Sequence, residues 1–175
     1  QLYGLTEAAG SGTALRPEEA LEKIGSCGKP YFHADIKIVG DDGNELPPNE
    51  EGELIIRSES VMRGYWNLPE ATEETIKDDW LHTGDIAKVD EEGYFYITDR
   101  KKDMIISGGE NVYPAEIEKI LHSHENILEA AVIGMPSKEW GESPKAIVVP
   151  VEGETLTEQE VIDYCNGKLA RFKIP

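Results

Sequence analysis

Apolar and polar positions alternate through the first half of the chain. In residues 34–39, Ala34, Ile36 and Ile38 are apolar at every second place, the period of a half-buried strand. Asp42-Gly43 then signals a hairpin turn, and Pro47-Pro48 blocks regular ladder pairing. Residues 53–57 read as the next strand. Ile86–Val89 and Tyr94–Thr98 flank the turn at 90–93 and predict a second hairpin.

The pattern changes after Thr98. Asp99 to Asp103 is an unbroken run of charged residues, followed by the apolar Met104–Ile106 and by Gly108-Gly109, where the chain is free to turn. Pro114 suits the first turn of a helix, Glu116 and Glu118 favour its N-terminal dipole, and Ile117, Ile120 and Leu121 give it one apolar face. Two apolar runs, Leu128–Met135 and Ala146–Val151, predict buried strands. Thr157 with Glu160 forms a capping box, Leu156 can staple onto Val161, and Val161, Ile162, Cys165 and Leu169 line the helix that follows.

The expected fold class is therefore α+β: a strand-rich first part over 1–98, a joint at 99–103 and a small α+β unit over 104–175.

The chain has 175 residues, with 17 basic and 35 acidic side chains and a net charge of −18. That charge repels phosphate backbones and argues against DNA or RNA as a partner. No apolar run approaches the roughly 18–20 residues of a membrane helix, and no secretory or transit signal opens the chain. Gln1 is not an initiator methionine, which suggests a cut or processed end. Cys27 and Cys165 lie far apart and suggest neither a disulfide framework nor zinc; a reducing, cytoplasmic setting is the default. Cys165 falls on an apolar helix stripe and reads as a core thiol.

Candidate chemistry is concentrated in a few segments. Gly25 to Pro30 contains Gly28-Lys29, but Lys23 and Pro30 stand where a Walker loop needs Gly and Ser or Thr, so it reads as a turn. Residues 1–7 are a strand end turning at Gly4 that presents a ring (Tyr3), a hydroxyl (Thr6) and a carboxylate (Glu7), the last suited to a hard cation. Thr83-Gly84-Asp85 reads as a turn offering two acceptor oxygens, enough for a diol. Arg100 follows with a fork of donors. His122 and His124 sit two apart at a helix end, where they do not face each other; the dipole explains them better than a metal does.

The order and spacing of these pieces across Trp80–Glu118, together with Tyr3-Gly4-Leu5-Thr6-Glu7, resemble the adenylate-forming ligases, which include acyl-CoA synthetases and luciferases. The resemblance covers nearly the whole chain. It implies that residues 1–98 close a large AMP-binding domain with a barrel-like subdomain, and that 104–175 is a small mobile domain. By the same resemblance, Tyr3 stacks on adenine, Thr6 contacts the α-phosphate and Glu7 binds magnesium. Asp85 holds the ribose with Arg100 nearby, Lys102 is the hinge, and Gly108 and Gly109 line a pantetheine tunnel. Gly52–Arg57 and Arg63–Thr72 are similar to another family block, read as a barrel strand and the turn after it.

The family's activity would be to join a carboxylic acid to ATP, with Mg2+, and pass the acyl group to coenzyme A. Ile106 stands where luciferases carry a second lysine, and Met104-Ile105-Ile106 with Asn111–Glu118 looks more like fatty acyl-CoA synthetases. The family's phosphate loop would lie before Gln1 and its adenylation lysine after Pro175. The expected function is thus a part of an acyl-CoA synthetase acting on a fatty acid. Two alternatives are the adenylation domain of a peptide synthetase or aryl-acid carrier ligase, and a stand-alone nucleotide-binding or regulatory module.

Overall fold

Alternating strands that cover only one face must pair along their edges, and the computed structural model, which describes residues 1–10 and 12–175, shows how they do so. The chain divides into two compact units, Gln1–Lys101 and Lys102–Pro175.

The first unit is built on β4 (Asp35–Val39), β5 (Gly52–Arg57), β6 (Ile76–Lys77), β7 (Trp80–Val89) and β8 (Phe95–Arg100), all antiparallel and curled. β7 is central: β5 takes one edge, while β6 and β8 share the other at its start and end. A smaller sheet joins β1 (Leu2–Tyr3), β2 (Thr13–Ala14) and β3 (Lys29–Pro30). It is tied to β8 by Cys27 N, which donates to Phe95 O at 2.9 Å. Ile38, Leu54, Ile56, Leu81, Ala87 and Phe95 pack with Ala8 and Cys27 as the core.

Three readings of this unit change. Thr83-Gly84-Asp85 is not a turn between elements but lies inside β7, which begins at Trp80 rather than Ile86. The chain after Gly64 is not all turn, since Pro69–Thr75 forms the helix α1 with Pro69 at its start. β8 runs on through Asp99 and Arg100, and a 3-10 turn takes up Lys101–Asp103.

In the second unit, β9 (Ile105–Ser107) and β10 (Glu110–Val112) form a hairpin, so a strand stands where the sequence suggested only a turn into a helix. Gly108 and Gly109 are its two-residue turn, at φ 61° and 89°, the left-handed pair that a type I′ turn requires. α2 (Pro114–His122) follows, then β11 (Ile127–Ser137), β12 (Gly141–Pro150) and α3 (Glu158–Cys165). The sheet order is β10-β9-β12-β11. Ile105, Val112, Ile117, Leu121, Val132, Val161 and Cys165 pack together. The capping box is present: Thr157 N donates to Glu160 Oε2 at 2.8 Å and Glu160 N to Thr157 Oγ1 at 3.3 Å. Leu169 is buried although it lies beyond the helix end.

The two apolar runs expected as buried strands are buried on one face only. Leu128, Ile133 and Met135 on β11, and Ile147 and Val149 on β12, are 40–60% exposed. β11 is the outermost strand of its sheet, and within the unit α2 and α3 supply apolar partners to one side of it. Among the described residues, no helix is long and apolar enough to cross a membrane.

Leu121 is fully buried at the centre of the second core. Leu121→Ala should destabilise this unit by about 2–5 kcal/mol through lost burial and an unfilled cavity. Urea unfolding followed by far-UV circular dichroism checks this; a change under about 0.5 kcal/mol, the range of ordinary surface substitutions, would contradict the packing described.

Candidate nucleotide-binding site

The site begins with a disturbance in β7. Glu53 pairs with Ile86 and Ile55 with His82, so Thr83, Gly84 and Asp85 all lie opposite Leu54 alone. A second register shift falls on the other edge, between Ile86 and Ala87. Such bulges bend a strand and re-aim its side chains. Gly84, at φ 71°, supplies the left-handed step. Thr83 Oγ1 fixes the bulge by donating to Leu54 O at 2.7 Å and accepting from Asp85 N at 3.1 Å. Glu53 Oε1 accepts from Gly84 N at 3.2 Å, while its Oε2 meets His82 Nδ1 and Lys101 Nζ, each at 3.2 Å. Burial would raise the Glu53 carboxyl, but its bonds to His82 and Lys101 outweigh burial and hold it below its usual range.

The bulge leaves Asp85 only 8% exposed. Tyr3 Oη donates to Asp85 Oδ2 at 2.7 Å, and Arg100 Nε lies 3.2 Å from Oδ1. Burial, and then the bond to Asp85, push the Tyr3 hydroxyl well above the ordinary tyrosine range, so it remains a donor at any physiological pH. Each carboxylate oxygen can accept two hydrogen bonds; Oδ2 uses one for Tyr3, and Oδ1 faces the Arg100 ion pair. Asp85 therefore keeps capacity for two further donors, which is the demand of a ribose diol.

Thr6 and Glu7 lie in the 3-10 turn Thr6–Ala8, anchored by the fully buried Ala8. Thr6 is exposed and Glu7 half-buried. Glu7 O accepts from Met62 N at 2.7 Å, and Glu7 Oε1 accepts from Tyr65 Oη at 2.8 Å. That bond is the main cause of a raised Tyr65 hydroxyl. Among the described residues no group of three or more His, Cys, Asp or Glu could hold a metal. Magnesium needs no such cage, because it keeps several waters and takes one or two carboxylates with substrate phosphates. Glu7 fits that role: among the described residues it makes no ion pair, and its one hydroxyl donor is neutral, so its charge is uncompensated.

In the second unit Lys102 is exposed and, among the described residues, makes no ion pair. Gly108 N donates to Trp140 O at 2.8 Å, and a Cβ at Gly108 would come within 2.8 Å of the Trp140 ring. Gly109 is open on that side. His124 lies edge-on to the Tyr164 ring at 4.4 Å, and its Nδ1 accepts from Asn126 N at 3.1 Å.

Tyr3, Asp85 and Arg100 are thus brought together, and Glu7 is hydrogen-bonded to Tyr65. Sequence reasoning missed Glu53, His82 and Tyr65. Glu53 gave no signal beyond its strand, whereas Tyr65 lay in the Arg63–Thr72 block that had been given a structural role alone.

Residues 1–66 match the model of the AMP-binding enzyme, and residues 116–175 that of the AMP-binding enzyme C-terminal domain. The chain is 47% identical over all 175 residues to a feruloyl-CoA synthase from Amycolatopsis sp, and 49% identical to the long-chain-fatty-acid–CoA ligase FadD13 of Mycobacterium tuberculosis. It spans 36% and 34% of these two, about a third of the length of the curated relatives it matches. Among solved structures, o-succinylbenzoate coenzyme A synthetase (MenE) from Bacillus subtilis, in complex with ATP and magnesium ion, matches with a TM-score of 0.88 and 43% identity over 100% of this chain and 36% of its own. With one matched segment in each unit and these relatives along its full length, the chain belongs to the AMP-binding enzyme family.

Proposed function

We propose that this chain is the part of an ATP-dependent acyl-CoA synthetase that grips the nucleotide and carries the mobile domain for thioester formation. The observation that carries the reading is the Asp85 carboxylate, held by Tyr3 and Arg100 with one acceptor site still open on each oxygen. On this reading those two sites take the ribose hydroxyls, and the Tyr3 ring lies beside the base. Thr6 contacts the α-phosphate. Glu7 would hold magnesium, which supplies neutralisation of phosphate charge. The acid is activated when its carboxylate oxygen bonds to the α-phosphorus of ATP and the bond from that phosphorus to pyrophosphate breaks, so that the acyl carbon gains AMP as a good leaving group. The thiol of coenzyme A then displaces AMP.

The second unit serves the second step: the exposed Lys102 is the joint, and the Gly108-Gly109 turn approaches pantetheine. The named relatives are CoA synthases and ligases, which supports coenzyme A over a carrier protein as acceptor. A fatty acid remains the proposed acid, on the strength of the Met104–Ile106 and Asn111–Glu118 segments; feruloyl-CoA synthase and FadD13 match about equally well. The two buried free cysteines suit the reducing cytoplasm.

Asp85→Ala in the full-length protein should raise the KM for ATP about 10- to 150-fold, the effect of losing a charged hydrogen bond of roughly 1.5–3 kcal/mol, with a smaller effect on the acid. Steady-state kinetics with each substrate varied in turn tests this. An unchanged KM for ATP in a variant that melts normally would sink the ribose assignment.

Lys102→Pro fixes φ near about −65° and removes an N–H, so it should restrict the torsion a joint must sweep. Acyl-AMP formation, followed by pyrophosphate exchange, should persist while transfer from preformed acyl-AMP to coenzyme A falls. Equal loss in both steps, or loss in neither, would remove Lys102 from that role.

A further inference from the structure

The Arg63–Thr72 block resembles the family by sequence, yet no chemistry follows from its residues alone. Its geometry supplies one. Tyr65 reaches across 58 positions in sequence to donate its hydroxyl to Glu7 Oε1 at 2.8 Å. The segment that carries it is braced internally. Tyr65 N donates to Thr72 Oγ1 at 2.9 Å, and Thr72 Oγ1 donates to Leu68 O at 2.9 Å. Leu68 N donates back to Tyr65 O at 3.2 Å. The same segment grips the Glu7 backbone through Met62 N.

Burial does not force this bond. Tyr65 is only half-buried, so water could satisfy its hydroxyl at little cost. Nor does the bond neutralise the carboxylate, because a phenol is uncharged. Its effect is directional: Oε1 is fixed, and among the described residues Oε2 has no hydrogen-bond partner. A carboxylate turned by a neutral donor, with its charge uncompensated and one oxygen open, is arranged for a hard cation.

We propose that Tyr65 is a positioning residue, orienting the Glu7 carboxylate for magnesium through its hydroxyl, with Thr72 holding Tyr65 in place. This rests on the reading of Glu7 as the magnesium carboxylate.

The test uses calorimetry on the full-length protein, with two titrants: ATP with magnesium, and AMP in excess chelator. Outer-shell partners of a metal ligand commonly contribute about 10- to 100-fold in metal affinity. Tyr65→Phe should therefore raise the magnesium concentration needed for tight ATP binding by about 10-fold or more, while metal-free AMP binding changes less than about 2-fold. Glu7→Gln should show the same selective loss, and adding Tyr65→Phe to it should cost little more, as expected for two residues acting through one interaction. Thr72→Val should reproduce a weaker form of the defect, and Thr72→Ser, which keeps the hydroxyl, should not.

If Glu7→Gln alters magnesium dependence and Tyr65→Phe does not, the positioning role is wrong and the Glu7 reading stands. If neither alters it, both readings fall. Equal weakening of AMP and magnesium-ATP binding by Tyr65→Phe would make Tyr65 a packing residue and overturn the proposal.

Discussion

The first unit depends on the pairing of one buried charge. Asp85 is 8% exposed, and a carboxylate removed from water costs several kcal/mol unless its oxygens are satisfied. Here each oxygen has one partner distant in sequence: Tyr3 from the start of the unit and Arg100 from its last strand. The bonds therefore hold the N-terminal strand and β8 against the bulge in β7. The bulge itself is fixed by Thr83 and Glu53, so the carboxylate is set by backbone geometry rather than by a mobile loop. A carboxylate on a strand with its neighbours locked would lose little further freedom on meeting a ligand, which is what preorganisation requires.

Much of this was legible from residue type. Pro114 at a helix start, the Thr157–Glu160 box and the alternation over residues 34–39 and 53–57 each produced the expected element, because each acts through local geometry. Asp85 and Arg100 were identifiable as candidates from their motifs. Their pairing across the β7–β8 ladder, Asp85 opposite Arg100, was not, since register depends on a bulge one residue wide. For the same reason Thr83-Gly84-Asp85 read as a turn: glycine at positive φ signals a turn and a bulge alike.

The exposure of β11 and β12 could not be read locally either. A continuous apolar run is the pattern of a strand covered on both faces, yet Ile133, Met135, Ile147 and Val149 face away from the core of their unit. Coverage is a property of the neighbours, not of the strand. Tyr65 and Glu7 illustrate the converse. Each is ordinary in its own segment, and only a contact spanning 58 residues gives the pair a meaning.

The comparisons bear on which chemistry this region holds. A feruloyl-CoA synthase and a long-chain-fatty-acid–CoA ligase have acids of different shape and polarity in their names, yet each is nearly half identical to this chain over all 175 residues. What the two names share is coenzyme A, and the matched family model is that of an AMP-binding enzyme. The residues assembled around Asp85 and Glu7 are carboxylates, hydroxyls and a guanidinium joined by hydrogen bonds and an ion pair, groups whose chemistry suits ribose, phosphate and cation.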